Sequence, residues 1–364
     1  MERKLSAAII GQGRSGRDIH GKYLLTEDAK ITDDYPKYAG MDRYVAVVEQ
    51  NEARRNRAKE EFGCPVFEDY RQLFDLNNID VVINSTFSYL HFPITMDLLR
   101  HKLNVIVEKP FSKYAMECEQ MIKAAKENGV FLTVFQQSRF APYYERVKEI
   151  IAGGKLGTIH EIAISFSGFS RRWDWQCSQR FYGGALLNTG PHPMDQALDL
   201  LDTDEMPAVF SCLKNINSAG DAEDYAKVIL TCPGRPLIEV EINPADAYSD
   251  FTYKVCGSRG SLRATQKNIK WKYFDPAPLP PLTLTPLTGC DGISPAYCSE
   301  SLTWHEFEEE VGGTAFDFGT AKFYENVHSH FTSGTPLAIR PEKILQQIRI
   351  AELIHAQNPA ETRF

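Results

Sequence analysis

The sequence lacks three features: a long uncharged apolar run, an excess of basic charge and a paired cysteine motif. Its apolar runs are shorter than the roughly 18 residues that a membrane-spanning helix needs. The run at residues 5–10 is also too short for a signal-peptide core. The formal net charge is -8, whereas binding to a nucleic-acid backbone requires a basic surface. The sequence therefore predicts neither a membrane nor a nucleic acid as a partner.

The eight cysteines are scattered, and no two of them have Cys-x-x-Cys spacing. Neither a zinc knuckle nor a redox-active dithiol is indicated, and no metal site is predicted. Scattered thiols without a secretory signal are typical of a reducing compartment. We therefore expect a cytoplasmic protein.

A length of 364 residues, with 43% hydrophobic and 24% charged residues, predicts a globular α/β protein of two domains. Residues 1–138 alternate between amphipathic helical segments and short apolar segments. The apolar segments predict strands at residues 7–10, 44–49, 65–67, 80–84, 104–107 and 130–135. Strands this apolar are buried on both faces, which indicates a doubly wound Rossmann domain.

Residues 139–364 follow a different pattern and are predicted to form an α+β domain for substrate binding and oligomerisation. Strand-like alternation occurs at residues 160–166, 225–231, 237–242, 252–256 and 261–265. Turn-forming residues separate several of these runs, so we expect an open, mostly antiparallel sheet. Predicted helices cover residues 143–151, 316–333 and 341–356, and the proline-rich residues 275–286 predict an irregular loop.

A G-x-G-x-x-G pattern follows the first predicted strand and opens the helix predicted at residues 15–25. Its first glycine permits a tight turn, its second lets a pyrophosphate approach the backbone, and its third lets the helix pack on the strand. The helix N-terminus then offers free N–H groups to the phosphates. A glycine-rich turn without a ligand is the alternative that this context disfavours. The predicted cofactor-binding residues of the turn are Gly11, Gln12, Gly13, Arg14, Ser15 and Gly16.

Glu49 ends the second predicted strand, where a carboxylate binds the ribose hydroxyls and repels a 2′-phosphate. This position predicts NAD, with NADP the less favoured cofactor. The interval from Gly11 to Glu49 is longer than usual, so residues 26–43 are predicted to form an inserted acidic loop. Arg54 lies near enough to stack on the adenine or to permit NADP binding. Further cofactor contacts are predicted for Ser85, Thr86, His91, Glu108 and Lys109.

Lys109 follows the fifth predicted strand, at the edge of the sheet where ligands bind in α/β folds. Asn188 and His192 are four residues apart and Asp195 follows three later, so one helix would place them on one face. A neutral imidazole, whose free pKa lies near 6.5, accepts a proton, and an ammonium group stabilises developing negative charge. The predicted catalytic residues are Lys109, His192 and Asn188.

The chain resembles the glucose–fructose oxidoreductase/inositol dehydrogenase/MocA (Gfo/Idh/MocA) family over nearly its whole length. The motifs that carry the resemblance are Gly11-x-Gly13-x-x-Gly16, Glu108-Lys109-Pro110, residues 183–195 and Gly257-Ser258-Arg259-Gly260. The resemblance implies NAD-dependent chemistry on sugars, inositols or their derivatives. It also implies a homo-oligomer, such as a dimer, tetramer or hexamer, formed through the C-terminal sheet.

The family's lysine corresponds to Lys109 and its histidine to His192, but Asn188 stands where the family usually has aspartate. An amide cannot stabilise an imidazolium ion by charge. His192 therefore acts unaided, or Asp195 supports it, or the substrate is unusual. Loss of the usual chemistry is a further possibility.

Substrate-binding residues are predicted on both sides of the domain junction: Gln137, Arg139, Arg172, Trp173, Trp175, Asn188 and Asp195. Aromatic rings stack on the C–H faces of sugars, while charged groups bind hydroxyls. The two tryptophans alternatively pack the domain interface. The leading hypothesis is oxidation of a ring hydroxyl, or the reverse reduction of a ketone, in a sugar, inositol or glycoside. An NAD-binding sensor and a hydride enzyme acting on an imine or enone are the alternatives.

Overall fold

The computed structural model describes residues 5–25, 43–284 and 299–359. The loop predicted at residues 26–43 lies outside the described residues except for its last position. Residues 285–286 of the proline-rich segment lie outside them as well, while residues 275–284 contain no helix or strand.

The N-terminal sheet has six strands in the order β3-β2-β1-β4-β5-β6, all of them parallel. Its strands are β1 (Ser6–Ile10), β2 (Arg43–Val48), β3 (Val66–Phe67), β4 (Val81–Asn84), β5 (Val105–Glu108) and β6 (Leu132–Phe135). The helices along this part of the chain are a π-helical turn (Gly16–Gly21), α1 (Lys22–Leu24), α2 (Glu52–Phe62), α3 (His91–Arg100) and α4 (Ala115–Asn128). The strand order reverses between β1 and β4, which opens a crevice at their carboxyl ends.

The C-terminal sheet has eight strands in the order β14-β13-β12-β11-β7-β10-β9-β8. Its strands are β7 (Ile159–Ser165), β8 (Ala208–Lys214), β9 (Tyr225–Thr231), β10 (Leu237–Ile242), β11 (Tyr253–Gly257), β12 (Gly260–Ala264), β13 (Asn268–Phe274) and β14 (Trp304–Glu310). Only β7 and β10 pair in parallel; the other neighbours are antiparallel. The predicted fold class is confirmed for both domains.

Three strands of the C-terminal sheet, β8, β13 and β14, are absent from the sequence-based prediction. Strand β14 contains four glutamates, a residue type depleted in strands. Pairing with β13 compensates, because Lys270 and Lys272 form ion pairs with Glu308 and Glu306 across the two strands. Long-range pairing therefore sets the conformation of this strand.

The helix expected across residues 188–195 is interrupted. The helices of this part of the chain are α5 (Pro142–Ala152), α6 (Ala185–Asn188), α7 (Pro191–Leu201), a π-helical turn (Ala315–Gly319), α8 (Thr320–Ser333) and α9 (Pro341–Gln357). Helix α7 begins at Pro191 because proline has no N–H to donate and suits the first turn of a helix. Asn188 and His192 therefore lie on two successive helices.

Helix α9 contacts the cores of both sheets, and α8 contacts the core of the N-terminal sheet. Phe323 and Tyr324 of α8 and Ile344 of α9 are buried in the core of the N-terminal sheet. Ile350 and Ile354 of α9 are buried in the core of the C-terminal sheet. Helix α9 thus packs on both cores and links the two sheets. The domain boundary predicted between residues 138 and 139 stays a prediction.

In the described parts of the chain, no helix is long and apolar enough to cross a lipid bilayer.

Candidate active site

The glycine turn shows which glycines the fold itself requires. Gly11 has a φ of +95°, and a Cβ there would lie 2.7 Å from the Ser85 carbonyl oxygen. A Cβ on Gly16 would lie 1.9 Å from the Gly11 carbonyl oxygen. At Gly13, in contrast, none of the described residues places an atom within 4 Å of the added carbon. Gly13 leaves open space on the outer side of the turn, which fits the close approach of a pyrophosphate.

This difference predicts separate effects for two alanine substitutions. Gly13→Ala should leave the apo-protein's thermal unfolding temperature within about 2 °C of wild type but weaken NAD binding about tenfold or more, because the methyl group occupies the phosphate's space. Gly16→Ala should lower the unfolding temperature itself, because its Cβ would overlap backbone. Differential scanning fluorimetry and calorimetric NAD titration measure both quantities. Wild-type NAD affinity in Gly13→Ala would show that the phosphates do not lie at this turn.

Glu49 lies directly beside the turn. Its Oε2 accepts a hydrogen bond from the Gln12 backbone N–H at 2.8 Å, and its Oε1 accepts one from Asn51 N–H at 2.9 Å. The Gln12 side-chain oxygen is buried and has no hydrogen-bond partner among the described residues. A carboxylate and a buried free acceptor at this place fit the hydroxyl groups of a ribose.

Arg54, predicted to contact the adenine, is exposed on α2, and that contact stays a prediction. Two arginines that the sequence-based prediction missed extend toward the turn instead. Arg55 donates to the Glu49 carbonyl oxygen at 2.7 Å, and Arg57 donates to the Gln12 carbonyl oxygen at 3.4 Å. The spacing of Arg54 and Arg57, one helical turn apart, is a signal from which Arg57 could have been predicted.

Ser85, Thr86 and His91 hold the loop after β4. The Ser85 hydroxyl donates to the Ile10 carbonyl oxygen at 2.8 Å, which ties the loop to the glycine turn. The buried His91 ring faces the carbonyl oxygens of Pro110 at 2.7 Å and Thr86 at 3.2 Å. Burial lowers the pKa of His91, although the Pro110 hydrogen bond opposes the shift. These contacts brace the loop, and direct contact of the three residues with a cofactor stays a prediction.

Glu108 is the centre of a buried network behind the turn. It accepts hydrogen bonds from the Ser15 hydroxyl, from the Lys109 N–H at 3.0 Å and from His20 Nε2 at 3.1 Å. The other ring nitrogen of His20 contacts the Tyr324 hydroxyl on α8 at 2.6 Å. Burial alone would raise the pKa of Glu108, but the hydrogen bond and charge of His20 outweigh it, and the pKa is lowered. His20 thus holds an ionised carboxylate beside Lys109.

Lys109 extends from the end of β5 into the C-terminal domain. Its Nζ donates a hydrogen bond to the backbone carbonyl oxygen of Asn188 at 2.8 Å. Burial lowers the pKa of Lys109, with Glu108 opposing the shift and the charges of Arg14 and Arg172 adding to it. The ammonium group therefore contacts the last residue of α6, Asn188, which stands where the family usually has aspartate.

His192 lies in the first turn of α7, with Nδ1 at 2.9 Å from the Ser138 hydroxyl oxygen. Burial and then the charge of Lys109 lower the pKa of His192 to about 3. The free value near 6.5 therefore does not apply to this ring, because desolvation disfavours its charged form. Ser138, which the sequence-based prediction missed, orients the ring.

The carboxylate of Asp195 is paired with Arg139. Arg139 donates two hydrogen bonds to its carboxylate, at 2.8 and 2.6 Å, and a third to Asp199 at 2.9 Å. The alternative in which Asp195 orients the imidazole is thus not supported by the geometry. The contacts of Arg139 and Asp195 with each other indicate a structural pair, and their predicted role in substrate binding stays untested.

A polar cavity of about 120 Å³ lies beside Asn188. Its lining includes Ser170, Arg172, Asn188, Thr189, Glu223 and Asn243. Of these, Arg172 and Asn188 were predicted, whereas Ser170, Glu223 and Asn243 were not, because they come from separate loops with no motif. A cavity with amide, hydroxyl and charged groups suits a polyol.

The two predicted tryptophans have different surroundings. Trp175 packs edge-on against Phe87, with the ring centroids 5.0 Å apart, and so joins the C-terminal domain to the loop after β4. Trp173 is 83% exposed. Gln137 is buried, and its side-chain oxygen has no hydrogen-bond partner among the described residues. The predicted role of all three in binding a substrate stays a prediction.

Comparison with protein families assigns both domains. Residues 5–136 match a family model described as an oxidoreductase family with an NAD-binding Rossmann fold, and residues 144–263 match the GFO/IDH/MocA C-terminal domain. The chain belongs to the Gfo/Idh/MocA family. The resemblance noted from the sequence motifs is confirmed, and with it the NAD-binding class of the first domain.

Two relatives of this Gfo/Idh/MocA protein act on inositols by name. The chain is 28% identical to scyllo-inositol 2-dehydrogenase (NADP(+)) of Bacillus subtilis, a match that covers 72% of this chain and 73% of the relative. It is also 28% identical to myo-inositol 2-dehydrogenase of Thermotoga maritima, over 70% and 74% of the two chains.

Solved structures share the fold of this family member. An oxidoreductase from Bacillus cereus superposes with a TM-score of 0.77 at 19% identity, over 99% of this chain and 100% of that chain. GenD2 from gentamicin A biosynthesis, solved in complex with NAD, superposes with a TM-score of 0.74 at 20% identity, over 100% and 97% of the two chains.

Proposed function

We propose that this family member is an NAD-dependent dehydrogenase acting on a ring hydroxyl, or in reverse a ring ketone, of a sugar, inositol or glycoside. One observation carries the proposal: the Lys109 ammonium group bonds to Asn188 at the cavity edge, and its charge acts on the His192 ring. The hydrogen-bond donor thus contacts a residue of the polar cavity and lies close enough to the proton acceptor for its charge to lower that ring's pKa.

His192, Lys109 and Asn188 have separate roles in this reaction. The neutral His192 ring accepts the proton of the substrate hydroxyl, while Lys109 donates a hydrogen bond to the same oxygen and stabilises its developing charge. The Asn188 amide positions the hydroxyl. The glycine turn and Glu49 hold the cofactor, whose nicotinamide ring supplies the site of hydride transfer when bound.

A substrate panel tests this proposal. Sugars, inositols and alkyl glycosides are incubated with NAD and with NADP, and the absorbance of reduced nicotinamide is followed. We expect turnover of at least one polyol with NAD. Binding of NAD with no turnover of any compound would contradict the proposal and favour an NAD-binding sensor, the candidate that Asn188 supports. Turnover restricted to imines or enones would favour the third hypothesis.

The preference for NAD over NADP is predicted to depend on the Glu49 charge. Glu49→Gln keeps a side-chain oxygen for the N–H groups of the turn but removes the charge that repels a 2′-phosphate. The ratio of kcat/KM for NADP to that for NAD is expected to rise about tenfold. Glu52→Gln, an exposed residue at the start of α2, is the matched control and should leave the ratio unchanged. An unchanged ratio in Glu49→Gln would remove Glu49 from the ribose site.

We also propose that the protein forms a homo-oligomer through the C-terminal sheet and works in the cytoplasm. One face of that sheet packs against helices such as α5 and α7. Its other face bears partly exposed ion pairs, such as Lys254 with Glu161. Light scattering coupled to size exclusion measures the number of subunits, and a monomer would contradict the first part of this proposal.

A further inference from the structure

The cavity beside Asn188 contains a carboxylate that the proposed mechanism does not use. Glu223 lies just before β9, and its side chain is only 10% exposed. Gly184 faces it with a φ of +113°, and a Cβ on Gly184 would lie 2.4 Å from the Glu223 Oε1 atom. The glycine therefore leaves the room that the carboxylate occupies in the cavity wall.

The two oxygens of Glu223 have different surroundings. Oε1 accepts a hydrogen bond from the Leu186 N–H of α6 at 3.2 Å and lies 3.6 Å from His355 Nε2. The backbone carbonyl oxygen of Glu223 accepts a second bond from Ala185 N–H at 2.7 Å. No hydrogen bond to Oε2 is found within the described ranges. One oxygen thus anchors the residue to α6, and the other is left to accept a bond from a ligand.

The cavity lining carries one guanidinium group and two carboxylates. The guanidinium group of Arg172 is compensated by the Asp174 carboxylate, with two hydrogen bonds at 2.9 Å. The Asp224 carboxylate accepts hydrogen bonds from the N–H groups of Asn217 and Ser218. Glu223 and Asp224 are therefore two carboxylates of the lining without a lysine or arginine partner among the described residues.

We infer that Glu223 is a specificity residue that accepts a hydrogen bond from a hydroxyl of an uncharged polyol and disfavours sugar acids and sugar phosphates. A carboxylate has acceptors only, so its partner must be a donor such as a hydroxyl. A charge-assisted bond of this kind is stronger than a neutral one, and a ligand carboxylate or phosphate in the same cavity meets like charge. This inference rests on the proposed function.

The test measures binding and turnover separately. D-Glucose, myo-inositol and D-glucuronate are titrated calorimetrically into the NAD-loaded protein, and oxidation of each is followed by absorbance. Wild type should bind a neutral compound about tenfold or more tightly than D-glucuronate. Glu223→Gln keeps an oxygen for the Leu186 N–H, so α6 stays capped. The Glu223→Gln variant should bind neutral polyols about tenfold more weakly than wild type. Its preference for neutral polyols over D-glucuronate should fall by a similar factor.

The matched control is Glu127→Gln, which removes one exposed carboxylate from α4 outside the cavity lining and should change neither affinity. Equal unfolding temperatures of the two variants exclude a general loss of structure. The inference is overturned if Glu223→Gln keeps the wild-type preference, if wild type prefers D-glucuronate, or if none of the three compounds binds. Preferential binding of the neutral compounds without any oxidation would retain the inference and reject the dehydrogenase proposal.

Discussion

His192→Ala is expected to slow turnover by roughly 10²–10⁴-fold while leaving NAD binding unchanged. The reason is that the variant lacks the group that accepts the hydroxyl proton, whereas the glycine turn and Glu49 are unaltered. Steady-state kcat at saturating NAD and calorimetric NAD titration measure the two effects. His160→Ala removes an exposed histidine of β7 and is the control. Near-normal turnover of His192→Ala would refute the role of the imidazole as the base.

The pH dependence of the wild type provides a second measurement on the same group. Burial lowers the pKa of His192 to about 3, so the neutral ring predominates at every pH above that value. Because the neutral form is the base, kcat/KM for oxidation should show no fall due to His192 between about pH 7 and pH 5. An acid limb near pH 6.5 that disappears in His192→Ala would show that the ring titrates like a solvated histidine.

Lys109→Ala is expected to lower kcat by about 10²–10³-fold, the usual effect of removing one hydrogen-bond donor to a developing oxyanion. The loss should be larger in kcat than in substrate affinity, because the charge on the substrate oxygen develops in the transition state. The contact with the Asn188 carbonyl oxygen is lost as well, so the unfolding temperature is measured alongside the rate.

Lys113→Ala is the matched control for Lys109→Ala. Lys113 lies four residues further on in the same loop, and its ammonium group packs over the rings of Tyr114 and Tyr182. Its removal should leave kcat within about twofold of wild type. Equal losses in both lysine variants would indicate a general disturbance of the loop after β5, and no loss in Lys109→Ala would refute its electrostatic role.

Elements that have a local sequence pattern could be predicted, and elements that depend on long-range pairing could not. The glycine turn, the parallel strands and five strands of the second sheet were predictable because each leaves a local pattern in the chain. Strands β13 and β14 were not predictable, because a lysine-containing segment and a run of glutamates have no local strand pattern. Cross-strand ion pairs between the two segments stabilise them as strands. His192 and Lys109 were recognised by motif, but the pKa of His192 depends on burial that no motif reports.

The partners of several predicted residues also depend on distant segments. Asp195 lies three residues after His192, yet its carboxylate pairs with Arg139, which approaches from the end of β6. Ser138 comes from the same segment, and its hydroxyl group contacts the His192 imidazole. Local spacing indicates which side chains share a helix face, but it cannot indicate what packs against that face.

The sequence alone determined the family, the order of the two domains and the residue types available for hydride chemistry, because these follow from local motifs and periodicity. Only the tertiary structure decided which charges compensate one another, how strongly His192 is desolvated and that Glu223 and Asn188 line one cavity. These properties depend on distances between segments far apart in the chain, and electrostatic interactions depend on distance and burial.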